Sequence, residues 1–159
     1  MKANHFYSDT LEFFSLLFQN QVRYLIVGGE AVIYYGFARL TGDVDIFYDV
    51  SADNITRLYT ALHQFWEGDI PGVEHKSELA EPGVIFQFGV PPNRIDLMNK
   101  VDQVTFEPAW KNRTIEKVVQ KSGPVEIYYI GLSELISNKK SMGRYKDLED
   151  LKYLQKIKK

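Results

Sequence analysis

The stretch Tyr24-Leu-Ile-Val-Gly-Gly-Glu-Ala-Val-Ile-Tyr-Tyr-Gly-Phe-Ala-Arg-Leu-Thr-Gly-Asp-Val-Asp-Ile-Phe-Tyr48 constrains the fold more than any other part of the chain. It predicts a buried strand from Val22 to Val27, a tight turn at Gly28-Gly29 and a short apolar helix from Glu30 to Tyr35. A polar bend from Arg39 to Gly42 follows, and then a second strand carrying Asp43 and Asp45. Side chains alternate faces along a strand, so Asp43 and Asp45 project together while Val44 and Ile46 point the other way, into a core. Two unit charges about 6.5 Å apart at an effective dielectric of about 20 repel by about 2–3 kcal/mol. Either a proton or a hard cation such as Mg²⁺ has to offset that cost. The glycine pair adds a second constraint: without Cβ atoms the backbone admits a ligand closely, and the start of the next helix offers unpaired N–H groups to an anion.

A third carboxylate comes from further along. Val84 to Phe88 and Arg94 to Met98 are β-prone runs joined by the turn-rich Gly89-Val-Pro-Pro-Asn93, which predicts a hairpin. In the second run Ile95 and Leu97 share one face, while Arg94, Asp96 and Met98 share the other. With the apolar pair turned to the core, Asp96 lies on the same open surface as Asp43 and Asp45.

Around this centre, Asp9-Thr-Leu-Glu12 has capping-box spacing and predicts a helix whose Leu11, Phe14, Leu17 and Phe18 form an apolar stripe ending near Asn20. Ser51 and Asp53 offer caps for a core-facing helix carrying Ile55, Leu58, Tyr59, Leu62, Phe65 and Trp66. The Gly- and Pro-containing region from Glu67 to Gly83 reads as a loop or broken helix. Phe106 to Trp110 predicts a short helix at the sheet edge, and Thr114 to Val119 with Val125 to Ile130 a second hairpin. Ser133 offers a cap for a helix from about Glu134 to Met142, stopped by Gly143. The last helix begins near Asp147, with Leu148, Leu151 and Leu154 on one side. No repeat and no long linker divides the chain, so residues 1–159 are expected to form one domain with a helical C-terminal part over 132–159.

Gly28-Gly29, thirteen intervening residues and then Asp43-Val44-Asp45, with Asp96 on a later strand, resemble the signature of the DNA polymerase β-like nucleotidyltransferase superfamily. The stretches Glu81-Pro-Gly83, Gly89 to Leu97, Phe106 to Trp110 and Asn138 to Leu151 extend the resemblance to small bacterial nucleotidyltransferase proteins related to the AbiEii toxin group and the minimal nucleotidyltransferases. The resemblance implies an α+β fold, a mixed sheet with helices packed mainly on one face, and transfer of a nucleoside monophosphate from a nucleoside triphosphate to an acceptor hydroxyl. It implies two Mg²⁺ ions, with Mn²⁺ as the substitute, held by Asp43, Asp45 and Asp96. In this scheme Asp96 favours deprotonation of the acceptor hydroxyl, and Gly28 and Gly29 hold the β and γ phosphates through backbone N–H groups. Arg39, in the bend before the carboxylate pair, is placed to meet triphosphate charge, and Lys139, Lys140, Arg144 or Lys146 can add to it. Against that role stands local ion pairing, since Arg144 and Lys146 immediately precede Asp147.

Composition sets the outer bounds. With 159 residues, 45% hydrophobic and 14% aromatic, the chain can bury a substantial core. The absence of cysteine excludes disulfides and thiolate zinc sites. His5, His63 and His75 lack ligand spacing and are expected to be surface or packing residues. Asp9 and Glu12 interrupt the early apolar region, so neither a signal peptide nor a membrane span is expected and a cytoplasmic location is the default. Residues 139–159 hold eight Lys or Arg against three acidic residues, leaving eleven basic against eighteen acidic in residues 1–138. That basic end is either a phosphate or RNA contact or a solvated helix face. No P-loop or dinucleotide fingerprint is present.

Three functions follow from these features. The first is a metal-dependent nucleotidyltransferase, toxin-like, whose acceptor is RNA or protein, or whose site a homodimer completes. The second is an inactive nucleotide-binding regulator or toxin–antitoxin interaction protein with an antitoxin partner. The third, a metal-dependent nuclease, is disfavoured by the phosphate-binding turn at Gly28-Gly29.

Overall fold

The computed structural model describes residues 6–158, so His5 and Lys159 lie outside the described residues, as does the side chain of Lys158. Six strands, β1 (Tyr24–Val27), β2 (Asp43–Tyr48), β3 (Ile85–Phe88), β4 (Arg94–Met98), β5 (Thr114–Gln120) and β6 (Gly123–Tyr129), form one mixed sheet in the order β3-β4-β2-β1-β6-β5. β2 runs parallel to β4 and antiparallel to β1, and β1 runs parallel to β6. The hairpins β3–β4 and β5–β6 close the two ends. Among the described residues, six α-helices accompany the sheet: α1 (Ser8–Gln19), α2 (Gly28–Tyr34), α3 (Ala52–Phe65), α4 (Phe106–Lys111), α5 (Leu132–Met142) and α6 (Tyr145–Lys158). The α+β architecture expected from the sequence is the one observed.

One face of the sheet is built from the even-numbered side chains of β2. Ile46, Tyr48 and Leu97 are buried there, and Tyr24 stacks on Phe14 of α1 at 5.7 Å between ring centres. Helices α1 and α3 cover this face side by side, with Phe13 meeting Phe65 edge-on at 5.2 Å. The apolar stripes read in the sequence supply the contact: Phe14 and Leu17 from α1 and Ile55, Leu58 and Leu62 from α3 are all buried. Tyr48 donates a 2.6 Å hydrogen bond to the Leu79 carbonyl, which ties the short 3₁₀ helix Lys76–Ala80 to the core. That 3₁₀ turn is the only regular element among the described residues of the loop that follows α3. No helix among the described residues is long and apolar enough to cross a membrane.

Several local expectations shift. Strand β1 starts two residues later than expected and α2 two earlier, with Gly28 taken into the helix. Helix α1 begins at Ser8 with Tyr7 at the N-cap and no side-chain cap bond, so the Asp9/Glu12 capping box does not form; Asp9 already lies inside the first turn and Glu12 beyond it. Ser51 does occupy the N-cap of α3, but its hydroxyl donates to Asp49 at 2.9 Å instead of capping the helix. At α5 the N-cap is Gly131, which leaves Ser133 within the first turn, whereas Gly143 ends the helix as expected, in the left-handed conformation with φ 65°. Helix α4 does not sit at an edge: Phe106 meets Phe47 of β2 and Trp110 meets Tyr128 of β6, strands that flank the central β1. On α6 the buried positions are Asp147, Asp150 and Leu154, and Leu148 is exposed.

Asn54 links the layers. It is fully buried, its side-chain oxygen accepts from the Arg23 N–H at 2.7 Å, and its amide donates to the carbonyls of Arg23 and Asp49 at 3.0 and 2.7 Å. Replacing it leaves the Arg23 N–H and the Asp49 carbonyl without their partner, while the Arg23 carbonyl keeps its bond from the Asp49 N–H, and each such loss costs about 1–3 kcal/mol. Asn54→Ala is therefore expected to lower the unfolding free energy by about 2–4 kcal/mol, measured by urea denaturation, with the largest loss of hydrogen-exchange protection at β1.

Candidate active site

The face of β2 and β4 opposite α1 and α3 carries the carboxylates. Strand register decides their convergence: Asp45 of β2 is paired directly with Asp96 of β4, and Asp43 with Arg94. The parallel alignment thus stacks two strands' worth of acid on one surface. Asp43, Asp45 and Asp96 each offer a carboxylate oxygen, and these oxygens lie within 4.8 Å of one another. All three side chains expected to form a metal-binding triad are brought together.

Burial and mutual repulsion raise their proton affinity. Asp45 is pushed up to about 7 by burial first, then by the neighbouring charges of Asp43 and Asp96, with Lys139 acting in the opposite sense. Asp96 is raised by burial and by Asp43, opposed by Arg94. Arg94 bridges the outer pair, with Nη2 at 2.7 Å from Asp43 and Nε at 3.0 Å from Asp96. Among the described residues no cation forms an ion pair with Asp45. An all-oxygen set of this kind, partly neutralised and converging at this spacing, suits a hard divalent cation such as Mg²⁺ or Mn²⁺. Arg94 was not singled out in the sequence, although its position two residues before Asp96 placed it on the same face.

Gly28 and Gly29 abut this centre. Gly28 has φ +66°, and a Cβ there would stand 2.2 Å from Asp45 Oδ2, so the carboxylate occupies the space a side chain needs. A Cβ on Gly29 would stand 2.8 Å from Thr41 Oγ1 and 3.1 Å from Arg39 Nη2. Thr41 in turn lies 3.3 Å from Asp43 Oδ1. The glycine pair, the bend and the carboxylates are therefore in direct contact.

The basic candidates separate. Arg39 Nε lies 2.9 Å from Asp150 Oδ1, and Lys139 Nζ lies 3.1 Å from Asp147 and 3.0 Å from Asp150. Arg144 Nε lies 2.6 Å from Asp147 Oδ2. Burial pushes Asp147 upward, but hydrogen bonds from Arg144 and Lys139 outweigh it and hold the carboxyl below its ordinary value. Local pairing of Arg144 with Asp147 is thus realised, whereas the pairing of Asp150 with Arg39 and of both acids with Lys139 was missed by sequence reasoning. Their helical spacing with Leu154 places them on the inner side of α6 and was the available signal. Lys140, one position on from the buried Lys139 and so about 100° further round α5, is exposed, as is Lys146. His63 and His75 are exposed and outside the site.

A family model described as nucleotidyltransferase of unknown function (DUF6036) matches residues 9–158. The crystal structure of an antigenic nucleotidyltransferase-like protein from Paracoccidioides brasiliensis is similar in fold, with a TM-score of 0.53 and 17% identity over 94% of this chain and 77% of that one. No curated protein matches the chain.

Two outcomes test this geometry. Because the proton affinity of Asp45 is raised, ionising it destabilises the metal-free fold fully above pH about 7, and that penalty vanishes below the ordinary carboxylate range, where both folded and unfolded states are protonated. Asp45→Asn is expected to raise the melting temperature of metal-free protein at pH 8, with the gain shrinking as pH falls from 7 to 4; a pH series of thermal melts checks it. Gly28→Ala is expected to lose at least about 1 kcal/mol through the left-handed φ alone, and to abolish any Mg²⁺-dependent rise in melting temperature by displacing Asp45.

Proposed function

We propose, since the chain belongs to the DUF6036 family of nucleotidyltransferases, that it transfers a nucleoside monophosphate from a nucleoside triphosphate to an acceptor hydroxyl, with Asp43, Asp45 and Asp96 as the catalytic centre. The observation that carries this reading is the β2–β4 register, which sets Asp96 beside Asp45 and within reach of Asp43. Asp43, Asp45 and Asp96 are the residues to hold divalent ions, Mg²⁺ in the first instance. Such ions, when bound, neutralise triphosphate charge and make an acceptor hydroxyl easier to deprotonate.

The protein's own contribution is positioning and charge placement. Asp96, its proton affinity raised by burial, is the carboxylate to receive the acceptor's proton as the acceptor oxygen attacks the α-phosphorus and pyrophosphate leaves. The backbone N–H groups at Gly28 and Gly29 meet the outer phosphates, and the missing Cβ atoms let Asp45, Thr41 and Arg39 close in on that backbone. Lys139 and Arg144 present positive charge beside Asp45, Arg39 does so beside Gly29, and Lys140, exposed on α5, adds to the field that draws in the anionic substrate. The toxin-like subgroup related to AbiEii, an RNA or protein acceptor and an antitoxin partner are the finer parts of this proposal; the Asn138 to Leu151 stretch supports the subgroup.

A second reading, an inactive nucleotide-binding regulator, draws on one observation: Arg94 already pairs with Asp43 and Asp96. The two are separated by incubating the protein with Mg²⁺, each α-labelled nucleoside triphosphate, and either tRNA or a protein extract. Label is expected on one class of macromolecule, with Asp43→Ala and Asp96→Asn lowering the rate at least about 100-fold. Nucleotide binding without any transfer favours the regulator.

A further inference from the structure

We propose that Asp150 of α6 is a positioning residue for the nucleotide, holding the Arg39 guanidinium beside the Thr41 hydroxyl over the backbone of Gly29, where the two side chains form the polar wall of the phosphate cradle. This deepens the functional reading above and rests on it.

Geometry carries the assignment. Asp150 is buried and pairs with one edge of Arg39: Nη2 donates to Oδ2 at 3.0 Å, and Nε lies 2.9 Å from Oδ1 as a charge contact without a hydrogen bond. Nη1 donates to the Leu40 carbonyl at 3.1 Å, which pins the guanidinium to its own bend. The held Nη2 stands 3.1 Å from the point where a residue-29 Cβ would be, and Thr41 Oγ1 stands 2.8 Å from it. Residue 29 has no side chain, and the space next to its backbone is filled by a hydroxyl and a guanidinium from the bend ten or more residues on. A planar guanidinium fixed along one edge keeps N–H groups free for a phosphate oxygen, which a lysine on the same stem could not do with the same fixed geometry. Ordering it in advance lowers the entropy lost when an anion binds.

Charge agrees with geometry. Arg39, Lys139 and Arg144 meet only two carboxylates in this cluster, Asp147 and Asp150, so the assembly carries a surplus positive charge. Lys139 and Arg144 both interact electrostatically with Asp45, which places that surplus beside the carboxylate centre. Thr41, 3.3 Å from Asp43 Oδ1, joins the cradle to the same centre. Asp150 thus acts on the nucleotide through Arg39 and does not touch it.

Isothermal titration of Mg²⁺ together with ATP, GTP, CTP and UTP in turn, on the full chain, tests this. Arg39→Lys and Asp150→Asn are each expected to weaken the best nucleotide by about tenfold while binding Mg²⁺ alone as the wild type does. The double variant Arg39→Ala/Asp150→Asn is expected to bind no more weakly than Arg39→Ala, because both changes remove one interaction. Thr41→Val is expected to weaken the nucleotide in the same direction. Should Asp150→Asn fail to fold, Arg39→Lys and Thr41→Val decide the matter. Wild-type nucleotide affinity in those variants, or losses that add in the double variant, overturns the positioning role and leaves the functional reading standing. A wild-type protein that binds none of the four nucleotides overturns both.

Discussion

Three carboxylates within 4.8 Å of one another are the arrangement every other part of this molecule has to accommodate. At that separation each pair repels by a few kcal/mol even with generous screening, a sizeable part of the whole stability of a domain this size. The sheet imposes the arrangement regardless, because a parallel β2–β4 alignment in this register leaves Asp45 and Asp96 no choice but to be neighbours. The fold answers in three ways. Arg94 spans Asp43 and Asp96. Asp45 retains a proton nearly to neutrality. The opposite face of the same strands is filled with Ile46, Tyr48, Ile95 and Leu97, whose burial anchors the strands against the repulsion. A centre this uncomfortable on its own is built to receive positive charge.

The second organising device is the cluster of ion pairs at α5 and α6. Lys139, Asp147 and Asp150 are almost wholly buried, a costly state unless each charge is closely matched. Here each is matched at about 3 Å, and Arg39 and Arg144 complete the set from outside. Removing any one buried member would strand its partners, so this part of the chain is held to one arrangement. Its location beside Asp45 turns that rigidity to use, because the same contacts that fasten the C-terminal helices also orient cations at the site.

Much of this was legible in the residues themselves. Alternation along Asp43-Val44-Asp45 and Arg94-Ile95-Asp96 was enough to place three acids on one surface, since a period of two has no ambiguity once the apolar face is known. The hairpins, the apolar stripes of α1 and α3 and the stop at Gly143 were equally plain. What eluded sequence reasoning was long-range pairing. Nothing local marks Asp150 as the partner of Arg39, 111 residues away, or distinguishes Asp147 from any acid that opens a helix. Leu148 was grouped with Leu151 and Leu154 on one side of α6; Asp147 and Asp150 share the buried side with Leu154 instead, and Leu148 is exposed. Caps failed for a smaller reason: Asp9 and Ser133 are competent capping residues, but each helix starts two residues earlier.

The bond between Arg39 and Asp150 also orders events in time. A growing chain emerges from its N-terminal end, so β2 and β4, with all three acids, are exposed to solvent while α6 is still being made. Until Asp150 arrives, only the Leu40 carbonyl of the bend itself holds the Arg39 guanidinium, and the ion pair that fixes its other edge is unformed. The arginine of the bend therefore reaches its paired geometry only when α6 docks, after the strands that carry the three acids have been made.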